Sequence, residues 1–146
     1  MPGIVAGYVP WAVFDLRETP LDARDPWQVA GLIAALAGVA LLLACIVEFA
    51  RTGRGTLSPV DPPRALVVRG LYRYVRNPMY LSVSMIVLGE AMIARSIALA
   101  SYWAAVFLAA NLFVIFYEEP NLRRRFGASF DAYTTRVGRW VPRLRP

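Results

Sequence analysis

The sequence predicts an all-α, polytopic integral membrane protein. Three to four membrane helices are expected, including a C-terminal helical hairpin, followed by an amphipathic C-terminal surface helix. Three observations carry that expectation. Hydrophobic residues make up 58% of the chain and the mean hydropathy is +0.46, against the roughly 45–50% apolar content of soluble domains. The apolar residues are gathered into runs approaching the about 20 residues that a bilayer demands. The stretches between the runs are rich in arginine, so lipid is needed to cover what water cannot.

The 146 residues suit one domain, residues 1–146, in which 1–28 form an N-terminal interfacial or partial membrane segment. Ile4 to Phe14 is apolar but short and contains Pro10, so it reads as an interfacial helix or an incomplete span. No positive region precedes it and no small-residue cleavage site follows, so no cleavable signal peptide is expected. Val29 to Val47 is uncharged and long enough to cross, and Glu48 and Arg51 end it. Gly53, Gly55, Pro59, Pro62 and Pro63 mark the next stretch as non-helical. Met79 to Ala94 is a second run, marginal in length and interrupted by Glu90; Ile97 to Tyr117 is a third, with Asn111 inside it. Arg95-Ser96 is so short a connection that these two runs form a tight hairpin. Beyond it, Leu122, Phe126, Phe130, Tyr133 and Val137 recur at helical spacing, with Arg123, Arg124 and Arg125 largely off that stripe. Such a helix lies on the membrane surface or packs on the body of the protein.

All 16 cationic residues are arginine, and there is neither lysine nor histidine. Histidine is therefore absent as general base, metal ligand or pH switch. Cys45 is the single cysteine, so neither a disulfide within the chain nor a multi-cysteine metal site is expected. The net charge of +6 belongs to arginines that flank apolar runs, which favours a membrane surface over nucleic acid. The stretch from Arg51 to Arg76 holds six arginines against one aspartate, and the tail after Tyr117 holds seven. The positive-inside rule puts both on the cytoplasmic side. The all-arginine bias fits a GC-rich bacterial coding sequence, hence an inner membrane.

The hairpin also brings chemistry together. Its arms are about 24 Å and about 31 Å long at 1.5 Å per residue, so the chain returns to the level it left. Asn77-Pro78 at its start and Glu118-Glu119 at its end become neighbours. Asparagine suits a helix N-cap and proline the first helical position. The positive end of that helix, with Arg73 and Arg76, suits a carboxylate or phosphate. The glutamates suit hydroxyls, an amine or a cation. The plainer reading is a topogenic arginine cluster beside a surface acidic pair. Glu90 is costly in lipid and so is a candidate functional residue, but it stands near Arg95, and the favoured reading is that it pairs there or snorkels. Asn111 is expected to hydrogen-bond between helices, and Tyr102 and Trp103 to form an interfacial aromatic belt.

RGLYRYVRNPMYLS, followed some forty residues later by EEPNLRRRFGASFDAYTTRVGRWVP, resembles the isoprenylcysteine carboxyl methyltransferase and phospholipid methyltransferase superfamily. The resemblance covers roughly residues 50–142, and GTLSPVDPPRALVVRG upstream is similar to the lead-in of bacterial members. It implies an integral membrane methyltransferase that uses S-adenosyl-L-methionine without a soluble nucleotide-binding domain. No GxGxxG element argues otherwise. By matching motif positions it implies a cofactor pocket lined by Arg76, Asn77, Pro78 and Tyr80, with Gly70 and Tyr72 nearby. Glu118 and Glu119 would hold the other side, and the tail, with Phe126, Tyr133 and Arg136, would close over it. For an amine acceptor, Glu118 or Glu119 is the implied catalytic base. Prenylcysteine enzymes carry an arginine shortly before the glutamate pair, whereas Phe113 to Tyr117 is uncharged here. That departure argues against a prenylcysteine carboxylate as substrate; the resemblance implies a lipid or other lipophilic acceptor whose amine, carboxylate or thiol-derived group stays open. The competing expectations are an NADPH-dependent membrane reductase, against which the short chain and the EEPNL element argue, and a non-catalytic membrane scaffold.

Overall fold

The computed structural model describes residues 3–14, 20–52, 66 and 68–143. The glycine- and proline-rich stretch from Gly53 to Pro63 lies outside the described residues. All regular elements among the described residues are helical.

A short π-helical segment, Ile4–Tyr8, runs into α1 (Val9–Val13). Together they reach only about 15 Å, too short to span alone. Tyr102 donates to the carbonyl of Val5 (3.0 Å) and stacks obliquely on Phe14 with ring centroids 5.6 Å apart. These two contacts tie the segment down. The expected aromatic belt at Tyr102 and Trp103 thus has internal work: Trp103 donates its indole N–H to Ser84 Oγ (2.8 Å) and pins one arm of the hairpin to the other.

α2 (Pro26–Thr52) begins where Asp25 accepts the N–H of Trp27 (3.0 Å) and Pro26 takes a first-turn position. At 27 residues it is about 40 Å long. It runs antiparallel to α3 (Pro78–Ala94), and this is the most extensive helix–helix contact in the chain. Missing side chains make the contact possible. A Cβ on Gly89 would sit 2.5 Å from the carbonyl oxygen of Gly31, and one on Gly38 would sit 2.8 Å from that of Ser82. Gly31, Ala35 and Gly38 thus form a small-residue stripe on which the backbone of α3 rests.

α3 ends at Arg95, which adopts a left-handed conformation (φ 49°), and Ser96 Oγ caps α4 (Ile97–Phe113) by accepting from Leu99 N (3.2 Å). The expected hairpin is therefore present. The left-handed turn is steadied by an Arg95–Asp25 ion pair at 2.6 Å. That pair displaces the expected one: Arg95 reaches the start of α2, and Glu90 Oε2 is buried without a hydrogen-bond partner among the described residues.

α4 continues through a π turn (Val114–Glu118) into α5 (Glu119–Phe126). At Gly127 (φ 51°) the chain breaks and α6 (Ala128–Arg136) follows, so the tail is two helices where the periodicity predicted one. Glycine permits a backbone conformation that ends α5. The predicted stripe still packs as one group: Phe130 (1% exposed), Tyr133 and Val137 bury against Leu66, Leu122 and Phe126. It is turned onto the protein's own chain. A second core, Ala6, Val83, Ile86, Val87, Ala91 and Leu99, fills the opposite end of the hairpin.

Among the described residues two helices, Pro26–Glu48 and Ile97–Phe126, are long and apolar enough to cross a membrane, the second through its uncharged part, residues 97–117, and α3 is shorter. α2 leaves Leu32, Ile33, Leu36, Val39, Leu43 and Val47 exposed, an uncharged surface that suits lipid.

Candidate functional site

Four chain segments converge where the hairpin ends. They are the 3₁₀ turn Gly70–Arg73 with its linker to Asn77, the first turn of α3, the start of α5, and a strap, residues 137–140, that follows α6. The strap is stitched to the linker by backbone. Val75 and Gly138 form an isolated parallel bridge, and Arg76 N donates to the Gly138 carbonyl at 2.8 Å.

Side chains complete the cluster. Arg76 Nη1 donates to Glu119 Oε1 at 2.9 Å. Arg139 grips the same carboxylate at two points, Nε to Oε1 at 2.7 Å and Nη2 to Oε2 at 2.8 Å. Tyr80 donates to Glu118 Oε2 at 3.2 Å. Trp140 lies edge-on to Tyr80, with centroids 6.5 Å apart, and donates its indole N–H to Asn111 Oδ1 at 2.9 Å. Asn111 therefore bonds to the strap and not to a neighbouring helix as expected. Consecutive helical residues ordinarily diverge by about 100°, yet Glu118 meets Tyr80 in the first turn of α3 and Glu119 meets Arg76 just ahead of it. The π turn that ends at Glu118 widens the helix between the two side chains' usual directions.

The two carboxylates have opposite acid strengths. Burial pushes Glu118 above the usual range, and the neighbouring Glu119 charge adds to this while the Tyr80 hydrogen bond opposes it. Burial would also raise Glu119. The Arg139 hydrogen bond and the charges of Arg76 and Arg139 outweigh it and hold Glu119 low. Burial pushes the Tyr133 phenol up to about 12 and the Tyr72 phenol higher still, so both stay protonated. Tyr133 accordingly donates to the Tyr72 carbonyl at 2.7 Å.

Of the residues singled out from sequence, Arg76, Tyr80, Glu118 and Glu119 come into direct contact. Asn77 and Pro78 are buried at the start of α3, with proline in the first turn as expected. Asn77 does not cap the helix with its side chain; its Nδ2 donates to the Arg139 carbonyl at 3.3 Å. Gly70 is left-handed (φ 57°), and a Cβ there would meet Glu48 Oε2 at 3.0 Å. Tyr133 bonds to the Tyr72 carbonyl, Phe126 stays in the core under α6, and Arg136 is exposed. Arg139, Trp140 and Glu48 were not anticipated. Arg139 and Trp140 stood in the quoted tail segment, but nothing in their spacing separates them from the other arginines and aromatics.

The described residues thus form an all-α structure with two long apolar helices and a hairpin that gathers arginines and glutamates at one end. The family model for phospholipid methyltransferases matches residues 27–129, more than half of the chain. The protein belongs to that family. Searches of curated proteins and of solved structures returned no match.

Proposed function

We propose that the protein transfers a methyl group from S-adenosyl-L-methionine to a lipophilic acceptor at the cytoplasmic face of a bacterial inner membrane. The whole chain is taken to act as one catalytic domain. The observation that carries this reading is the charged cluster at the hairpin's end, where Arg76 and Arg139 both bond to Glu119 and Tyr80 bonds to the adjacent Glu118. The residues fit the donor's chemistry. Arg76 keeps a buried Nε without a hydrogen-bond partner among the described residues, a donor suited to a carboxylate. Glu118 supplies acceptor oxygens for an ammonium or ribose hydroxyls.

In this reading Arg76, Asn77, Pro78 and Tyr80, with Gly70 and Tyr72 beside them, form one wall. Glu118 and Glu119 form the other, and the tail with Tyr133 and Arg136 covers them. The donor brings an activated methyl group on a sulfonium. The protein's task is then to align the reactants and exclude water, which contributes up to about 7–11 kcal/mol in well-oriented systems. Glu118, with its raised proton affinity, is the group placed to take the proton that an amine acceptor sheds. The acceptor arrives along the apolar surface of the helices, and the arginine-rich side faces the cytoplasm.

The test is binding of S-adenosylhomocysteine to the purified protein in detergent. Binding is expected, and Glu118→Ala or Asn77→Ala should weaken it about tenfold, the scale of one charged hydrogen bond. Absence of binding by folded wild-type protein would overturn the reading. Isotopically labelled methyl donor, followed by mass spectrometry of lipid extracts, then identifies the acceptor.

A further inference from the structure

Glu119 carries one negative charge and is shared by two cations, but unequally. Arg139 holds both of its oxygens in a planar two-point grip, at 2.7 and 2.8 Å, whereas Arg76 holds Oε1 alone, at 2.9 Å. The other nearby acid, Glu118, accepts from Tyr80. Of the two cations Arg76 is therefore the less fully paired; its side chain is only 13% exposed and its Nε is unpartnered among the described residues. Arg139 itself is fixed by its backbone. Its carbonyl accepts from Asn77, the carbonyl before it accepts from Arg76 N, and the next side chain, Trp140, is tied to Asn111. Arg139 lies beyond residues 27–129, the part of the chain that the family match covers.

We propose that Arg139 is a positioning residue: by gripping Glu119 it leaves the Arg76 guanidinium free to bind the anionic group of a ligand, a carboxylate or a phosphate. Without Arg139, Glu119 turns both oxygens onto Arg76 and quenches it. A forked guanidinium is needed because an ammonium cannot match both carboxylate oxygens in one plane. The proposal rests on the preceding reading only for the identity of the ligand. The sharing of Glu119 stands without it.

The experiment measures binding to the purified protein in detergent of sulfate, of S-adenosylhomocysteine, and of methylthioadenosine, which lacks the carboxylate. R139Q should weaken sulfate about tenfold, and R139K should fall between R139Q and wild type. Adding Glu119→Gln should restore what Arg139→Gln removes. Sulfate binding to the double variant then returns to within about threefold of E119Q alone, because a neutral residue 119 no longer competes for Arg76. A merely structural Arg139 predicts the opposite: the double variant would be at least as impaired as R139Q, and that result overturns the proposal. So does unchanged sulfate binding in R139Q. If R139Q does not fold, R139K and E119Q/R139K are compared by the same rule.

A loss confined to sulfate and S-adenosylhomocysteine, with methylthioadenosine unaffected, assigns the anion as the cofactor carboxylate. A loss for sulfate and for nanodiscs containing phosphatidylglycerol, with neither nucleoside affected, assigns it as a lipid phosphate. Failure of the wild type to bind S-adenosylhomocysteine removes the methyl-donor reading, and the sulfate series still decides the role of Arg139.

Discussion

Glu119 accepts three hydrogen bonds from Arg76 and Arg139, whereas Glu118 accepts one from Tyr80 and is pushed toward its protonated form by burial. Neighbouring carboxylates whose proton affinities are driven apart suit separate duties, one held ionised for structure and one free to exchange a proton. The consequence is a pH dependence with a definite sign. A base acts deprotonated, so methyl transfer to an amine should fall as pH drops through the raised value of Glu118, above the ordinary glutamate value of about 4.3. Glu118→Gln should remove that acidic limb. Tyr80→Phe deletes the bond that favours the ionised form and should move the limb to higher pH. Incorporation of labelled methyl into lipid extract, measured across pH, checks both; a limb left in place by Glu118→Gln would exclude Glu118 as the base.

At the scale of elements, two features position these residues. The first is the π turn Val114–Glu118, at whose end Glu118 reaches Tyr80 of α3 and Glu119 reaches Arg76. Deleting Ile115 should convert it to an ordinary helical turn and remove the widening that turns Glu118 and Glu119 to their partners. Helicity by circular dichroism should be retained while S-adenosylhomocysteine binding is lost; retained binding would mean that the turn does not aim the pair. The second is the close approach of α2 and α3. A methyl group on Gly89 meets the Gly31 carbonyl at 2.5 Å and the Ala35 backbone nitrogen at 2.7 Å, so the helices must move apart. Gly89→Ala should cost about 1–3 kcal/mol, as overpacking does in tight interiors, and thermal unfolding in detergent reads it.

Over the whole molecule, the antiparallel order of α2, α3 and α4 separates two ends. One holds the Asp25–Arg95 ion pair, and the other holds Arg76, Glu118, Glu119 and the strap. If this axis crosses the bilayer, Arg24 and Arg124, both exposed, lie on opposite sides. Cysteines placed there in a Cys45→Ala background should label from opposite faces of sealed vesicles, with position 124 reached from the cytoplasmic side. Labelling of both from one face would refute the topology.

The sequence alone determined what depends on local composition. Apolar run length predicted the helices, the two-residue Arg95-Ser96 link predicted the hairpin, and arginine asymmetry predicted an orientation. The hairpin also brings the stretch before Pro78 and the Glu118-Glu119 pair to one end of the molecule, because the chain reverses at Arg95-Ser96. The apolar stripe from Leu122 to Val137 was legible for the same reason: its spacing follows the helix, even though Gly127 breaks that helix in two. What only the tertiary structure decided is which partner each polar group takes. Any of several arginines satisfies Glu119 on paper, and periodicity does not choose Arg139 from 20 positions away. Asn77 was expected to cap its own helix and instead holds the Arg139 carbonyl, 62 positions distant. A single carboxylate can be shared by only a few donors in one plane, so the folded backbone selects them.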